Sequence, residues 1–273
     1  MLLHTLLEVR RRSEALIAGL EPEDLGLQGM ADASPPKWHL AHTTWFFDTF
    51  VLQPHLASHT PCDPRWSYQF NSYYEAVGER HPRSERGVLS RPTIREILEW
   101  RAVVDAGLMQ LLSKEPTAEL QTLVELGLQH EQQHQELLLM DLLDGFSRQP
   151  LEPKYSSEAD LKTRTNVPQW LACEGGVVEI GAEHNSFHFD NETPRHRVWL
   201  DPFQIGDELV SNAIYAAFID DGGYQRPELW MSDGWGLVQQ RGWTQPRYWR
   251  DTHDEFGLAG RQRRDPAAPV RHL

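Results

Sequence analysis

The chain has 273 residues, 40% of them hydrophobic and 24% charged, and its 26 basic and 40 acidic side chains leave a net charge of −14. The length is too great for one small core and suits two domains of ordinary size, with the composition of a soluble globular protein. An acidic surface of this kind repels nucleic acid and anionic membranes, which leaves small molecules or proteins as the expected partners.

The opening stretch, "MLLHTLLEVRRRSEALIAGL", carries its arginines in the middle, so it reads as a helix over about 1–20 and not as a signal peptide. A second helix opens at "SPPKWHLAHTTWFFDTFVLQPHL", where Ser34 is placed to cap and Pro35 and Pro36 suit a first turn. A third runs from about Thr93, through "TIREILEWRAVVDAGLMQLLS". The fourth spans about Pro116 to Asp144 and stops at Gly145. Four amphipathic helices predict a bundle over 1–148. The long connection 60–92 is too aromatic for disorder and is expected to fold over one end of that bundle.

Residues 149–168, with Pro150, Pro153 and Pro168, read as a linker. From 169 to 273 short β-like runs alternate with Gly, Asn, Asp and Pro, so the fold class is α followed by α+β. Trp199, Trp230, Trp235, Trp243 and Trp249 crowd this half and are expected in its core. The "DNETPRH" segment reads as a solvated turn with no ligand role. Cys62 and Cys173 make neither a disulfide framework nor a C-x-x-C pair, which fits a reducing, cytoplasmic setting. No apolar run approaches membrane-spanning length.

The chemistry concentrates in "HEQQHQELLLMDL", from His130. Residues four apart share a helix face, so His130 and His134 can grip one ion. As a bare pattern this is H-E-x-x-H, the zinc-protease signature. The histidine-rich version of that motif needs a glycine and a third histidine downstream, where this chain has Leu137 and Met140. Glu131 lies roughly 100° around the helix from His130. A better third ligand is His42, which shares a face of the second helix with Trp38, Trp45 and Phe46. Bundle cores build metal sites from facing helices. His39 is turned away from the Trp38 direction and is left out of the set. Three neutral imidazoles suit zinc hydrolysis, and they equally suit Fe(II) that must hold oxygen and substrate together.

Three segments, "PPKWHLAHTTWFFDTF", "FNSYYEAVGERHPRSERGVLSRPT" and "HEQQHQELLLMDLL", closely resemble the ergothioneine-biosynthesis sulfoxide synthases. "GGVVEIGAEHNSFHFDNETPRHRVWLDPFQIGDELVSNAIYAAFIDDGGY" resembles the opening of that family's second domain. The resemblance implies a DinB-like four-helix bundle followed by a C-type-lectin-like domain similar to formylglycine-generating (sulfatase-modifying) enzyme. It implies non-haem Fe(II) as cofactor and a reaction that consumes O2 and joins γ-glutamylcysteine or cysteine to hercynine. By position, His42, His130 and His134 match the iron ligands. Gln133 matches a position that helps hold the histidine-derived substrate, and Arg83 and Arg86 match loop arginines that bind the carboxylates of the thiol.

The chain stops at "RRDPAAPVRHL", where members of that family continue, so the second domain is expected to be incomplete. A fragment, a truncated gene or a separate chain supplying the remainder would each account for this. The family's proton-donating tyrosine is expected in the absent part, because Tyr215, Tyr224 and Tyr248 come too early in the family order. The catalytic residue therefore stays unassigned, and the chain alone is expected to bind metal and turn over poorly. Two other enzymes share the histidine pattern, a DinB-like metal-dependent thiol transferase and a 5-histidylcysteine sulfoxide synthase. A bundle with a core histidine cluster and no catalytic role is the non-enzymatic alternative.

Overall fold

The computed structural model describes residues 2–156, 169–183 and 187–273. Residues 157–168 of the expected linker lie outside the described residues. The chain divides into two compact units, Met1–Tyr155 and Ser156–Leu273. The first runs past the expected bundle end at 148 because Tyr155 donates its phenol proton to the Leu16 carbonyl at 2.9 Å, tying the strand of chain after the last helix back onto the first.

The first unit is built on four long helical segments: α1 (Leu2–Ile17), α2 (Pro36–Phe46), α5 (Ile94–Leu111) and α6 (Ala118–Ser147). Between α2 and α5 lie a π-helical stretch (Phe47–Leu52), the single turn α3 (Gln53–His55) and α4 (Pro64–Phe70). Local chemistry sets several of these starts. Thr93 and Glu96 form a reciprocal capping box that begins α5, and the Thr117 hydroxyl accepts the Leu120 N–H to begin α6. The start of α2 differs from expectation. Its N-cap residue is Pro35, and no side chain caps it. Ser34 is turned to tertiary partners: its N–H donates to Asp141 at 2.8 Å, and its hydroxyl accepts from Arg86 at 2.8 Å.

Helix α2 is buried on every side, with Trp38, Leu40, Ala41, His42, Trp45 and Phe46 all at or below 2% exposure. A helix of that kind is a core element with no solvent face. It packs on both α5 and α6, while α6 also packs on α1. Gly127 of α6 makes the α2 contact possible. A Cβ there would sit 2.6 Å from a Phe47 ring carbon and 2.9 Å from a Phe46 ring carbon. The absent side chain brings α6 close to α2 just one turn before His130.

The connection 60–92 is ordered around α4 and two 3-10 segments, Glu75–Val77 and Arg83–Val88. The Phe70 carbonyl and the Arg86 side chain both reach the α2 face that carries Trp38 and His42.

The second unit holds three two-stranded antiparallel sheets, β1 (Trp170–Cys173) with β4 (Phe203–Gly206), β2 (Gly176–Ile180) with β3 (His196–Leu200), and β5 (Asp254–Gly257) with β6 (Gly260–Arg263). Helices α7 (Asn212–Asp220) and α8 (Ser232–Arg241) lie between β4 and β5 in sequence. The expectation of a tryptophan core is corrected here. Of the five tryptophans named for it only Trp249 is buried, and Trp199 and Trp243 are 68% and 45% exposed. A two-stranded ribbon presents two faces, so the side chains of both strands lack the second layer that would cover them. The "DNETPRH" segment forms a 3-10 turn closed by its own groups, Glu192 accepting the Phe189 N–H at 2.7 Å. No helix among the described residues is long and apolar enough to cross a membrane.

Candidate metal centre

Helix α2 supplies His42, and α6 supplies His130 and His134 one turn apart. All three are buried, and one nitrogen from each lies within 4.8 Å of the others. His42 Nε2 and His130 Nε2 stand 3.1 Å apart. Ligand bonds of about 2.0–2.1 Å place neighbouring donor atoms roughly 2.9–3.4 Å apart for angles between square and tetrahedral. The two nitrogens therefore already hold the spacing that a shared ion requires.

The rings are held to different degrees. His42 Nδ1 faces the Phe70 carbonyl at 2.5 Å, so it carries the proton and Nε2 keeps its lone pair. Trp38 and Trp45, one turn on either side, sandwich the His42 ring with centroids at 4.7 and 5.6 Å and planes 12° and 18° apart. The Phe46 ring lies 5.0 Å from that of His130. His130 Nδ1 is buried with no hydrogen-bond partner.

Electrostatics keep the cluster neutral. Burial lowers His130 to about 4 against the attraction of Glu131. Burial, and then the charge that His130 would carry, lowers His42 far below its ordinary value. His134 falls likewise through burial and its neighbours His42 and His39. Neutral imidazoles are the form that binds metals, and three converging lone pairs with no carboxylate among them fit a divalent transition ion.

Glu131 has a different task. Its carboxylate is fully buried and accepts from Arg10 at 3.0 Å, from the Ser13 hydroxyl at 2.6 Å, and from Arg101. Burial alone would raise its pKa, but Arg101 and Arg10 hold it down at about 2. A carboxylate locked into that network cannot take a proton from a metal-bound water, as the base of an H-E-x-x-H protease must. The protease alternative thus loses its base.

The other expected site residues separate. Arg86 is buried, with its guanidinium 3.4 Å over the Trp38 ring and hydrogen-bonded to Ser34 and Ser72. Its Nε is buried without a partner, and burial together with Arg83 lowers its pKa to about 9. Arg83, on the same 3-10 segment, is exposed. Gln133 is exposed on α6, so it is not an inward glutamine satisfied by the bundle. The buried glutamine is Gln135, which donates to the Val9 carbonyl at 2.9 Å and to Ser13 at 3.0 Å.

His39, left out of the ligand set by its direction, is not among the three converging histidines but stands directly behind one of them. Its Nδ1 lies 2.8 Å from His134 Nδ1, and its Nε2 lies 3.0 Å from Asp141. The available signal was the spacing of His39 and His42, three apart on one helix, but the direction of α2 relative to α6 decided the contact.

The DinB superfamily model matches residues 5–138, and the model of the sulfatase-modifying factor enzyme 1-like domain matches residues 155–273. Among curated proteins, the hercynine oxygenase of Mycolicibacterium thermoresistibile is 27% identical across 98% of this chain and 59% of its own length. The hercynine oxygenases of Mycolicibacterium smegmatis and Mycobacterium tuberculosis are each 29% identical across 82% of this chain and 52% of their own lengths. The chain thus spans little more than half the length of these relatives. It is similar to the hercynine oxygenases, and its sequence places a DinB-superfamily region ahead of a sulfatase-modifying factor enzyme 1-like domain.

Proposed function

We propose that the chain carries the metal-binding part of a non-haem Fe(II)- and O2-dependent sulfoxide synthase that joins a thiol, γ-glutamylcysteine or cysteine, to hercynine in ergothioneine biosynthesis. The observation that carries this reading is the convergence of His42, His130 and His134, neutral and buried, in a homologue of hercynine oxygenases. Three imidazoles would hold a ferrous ion and leave further coordination positions for ligands. Bound there, the ion would supply thiolate formation and the redox chemistry of oxygen.

The chain's own groups would do the positioning. The Arg83 guanidinium, exposed, and the unpaired Nε–H of Arg86 offer donors to the carboxylates of the thiol substrate. The larger and more anionic donor, γ-glutamylcysteine, suits two arginines better than cysteine does. The exposed Gln133 amide would hydrogen-bond the histidine-derived substrate without competing for the metal. Trp38 and Trp45 would hold the His42 ring while ligands exchange.

All three histidines belong to the first unit, which favours one second reading, a DinB-like metal-dependent thiol transferase. Oxygen dependence separates the two. Anaerobic Fe(II) titration of wild type, His42→Ala and His134→Ala comes first, followed by oxygen uptake with hercynine and each thiol. Tight binding lost in both variants, with oxygen uptake that needs hercynine and thiol together, supports the synthase. Fe(II) binding that survives His42→Ala removes the three-histidine site. Thiol transfer under strict anaerobiosis selects the transferase.

A further inference from the structure

We infer that His39 and Asp141 are positioning residues for the metal centre, forming a carboxylate–histidine relay that fixes the tautomer and direction of His134. This rests on the three-histidine metal reading above. With His134 as a ligand, the distances set the direction of each hydrogen bond in the relay. Asp141 Oδ2 already accepts the Ser34 N–H at 2.8 Å, which pins the carboxylate at the start of α2. His39 Nε2, 3.0 Å from the same oxygen, donates to it, because a carboxylate offers only acceptors. A His134 that ligates through Nε2 carries its proton on Nδ1, and His39 Nδ1, 2.8 Å away, is placed to accept it. His39 then keeps its own proton on Nε2, the nitrogen that faces Asp141.

The three metal-directed histidines are thus supported unequally. His42 is fixed by a backbone carbonyl at Phe70, and His130 Nδ1 has no partner. His134 alone receives its support through a chain that ends in a negative charge. A carboxylate behind a ligating histidine holds the ring in place and raises its basicity, and loss of such a partner costs metal affinity about 10–100-fold. His39 is not a fourth ligand, since both of its nitrogens are already engaged and it is absent from the converging group. The relay also joins three elements, since Ser34 precedes α2, His39 lies within it and Asp141 lies on α6.

The test uses the full chain and Co(II) as probe, read both by the dissociation constant and by the visible ligand-field bands. His39→Ala and Asp141→Ala are expected to weaken Co(II) binding about 10–100-fold and to shift those bands. His39→Gln, which offers an amide acceptor to His134 and an amide donor to Asp141, is expected to recover most of the affinity. Thermal unfolding of the metal-free variants runs alongside. If His39→Ala lowers only the unfolding temperature, and the folded protein binds Co(II) with unchanged affinity and spectrum, His39 is a packing residue and the relay is overturned. The same follows if His39→Gln binds no better than His39→Ala while both fold. Failure of the metal reading looks different: wild type then shows no Co(II) binding, and His134→Ala behaves like wild type.

Discussion

His130 and Glu131 are neighbours on α6, both buried, and the protein solves the cost of their burial in opposite ways. On the Glu131 side, facing α1, charge is kept and paired: one carboxylate meets Arg10, Arg101 and Ser13. On the His130 side, facing α2, charge is given up, and the three rings stay neutral. The paired side is closed, since its acceptors are used. The neutral side is open, since a ring nitrogen from each of the three histidines lies within 4.8 Å of the others with no charged partner among them. A buried ion network and a buried ligand set can thus sit one residue apart, and the difference is whether the partners are already present in the chain.

The largest test of this contrast is Glu131→Ala. It strands Arg10 and Arg101 without their shared carboxylate and is expected to cost about 3–5 kcal/mol in urea unfolding. Unfolding as cooperative as wild type with an unchanged midpoint would show that the network is not a stability element. The next effect comes from the open side. A divalent ion at about 100 times its dissociation constant is expected to raise the unfolding free energy by about 2.7 kcal/mol. The gain should vanish in His134→Ala and persist in Gln133→Ala, because the exposed amide is not a ligand.

Gly127→Ala is expected to cost about 1–3 kcal/mol by overpacking against Phe47 and Phe46. It should also weaken metal binding, because it pushes α6 from α2 where His130 and His42 meet. A loss of stability with intact metal affinity would separate helix spacing from ligand spacing.

The most gradual effect is in pH. Both faces carry depressed pKa values, so both contribute stability that is complete at high pH and lost on acidification. His130 folds with a value of about 4 against an ordinary 6.5, so its share is lost as pH falls from 6.5 to about 4. Glu131, held down by its arginines against the opposing effect of burial, loses its share between 4.5 and about 2. Urea midpoints of the metal-free protein, taken every half unit, should decline in the upper window first. His130→Gln should make the upper decline shallower, with His42 and His134 still contributing to it, and leave the lower decline in place.

Much of the site could be read in the sequence because it follows helical spacing. His130 and His134 share a face by their separation alone, and the aromatic pattern around His42 marks a buried stripe. What the spacing did not settle was settled by tertiary partners. Gln133 is exposed on α6, which is covered by both α1 and α2, and the buried glutamine is Gln135 on the Glu131 side. His39 is turned away from the Trp38 direction, and because α2 is buried all round that direction is covered too. Ser34 suited a cap by residue type, and tertiary partners took its hydrogen bonds. In the second unit the tryptophans pointed to a core, and Trp199 on a two-stranded sheet and Trp243 after α8 are exposed.

The sequence by itself determined the order of helices and short strands, the acidic surface, and the histidine pair on one helix face, because periodicity, composition and spacing are local properties of the chain. Only the tertiary structure decided which histidine from another helix meets that pair, which neighbouring carboxylate is locked away, and how His39 and Asp141 stand behind His134. Those depend on how closely and at what rotation α2 and α6 approach, which residues such as Gly127 permit and no local pattern encodes.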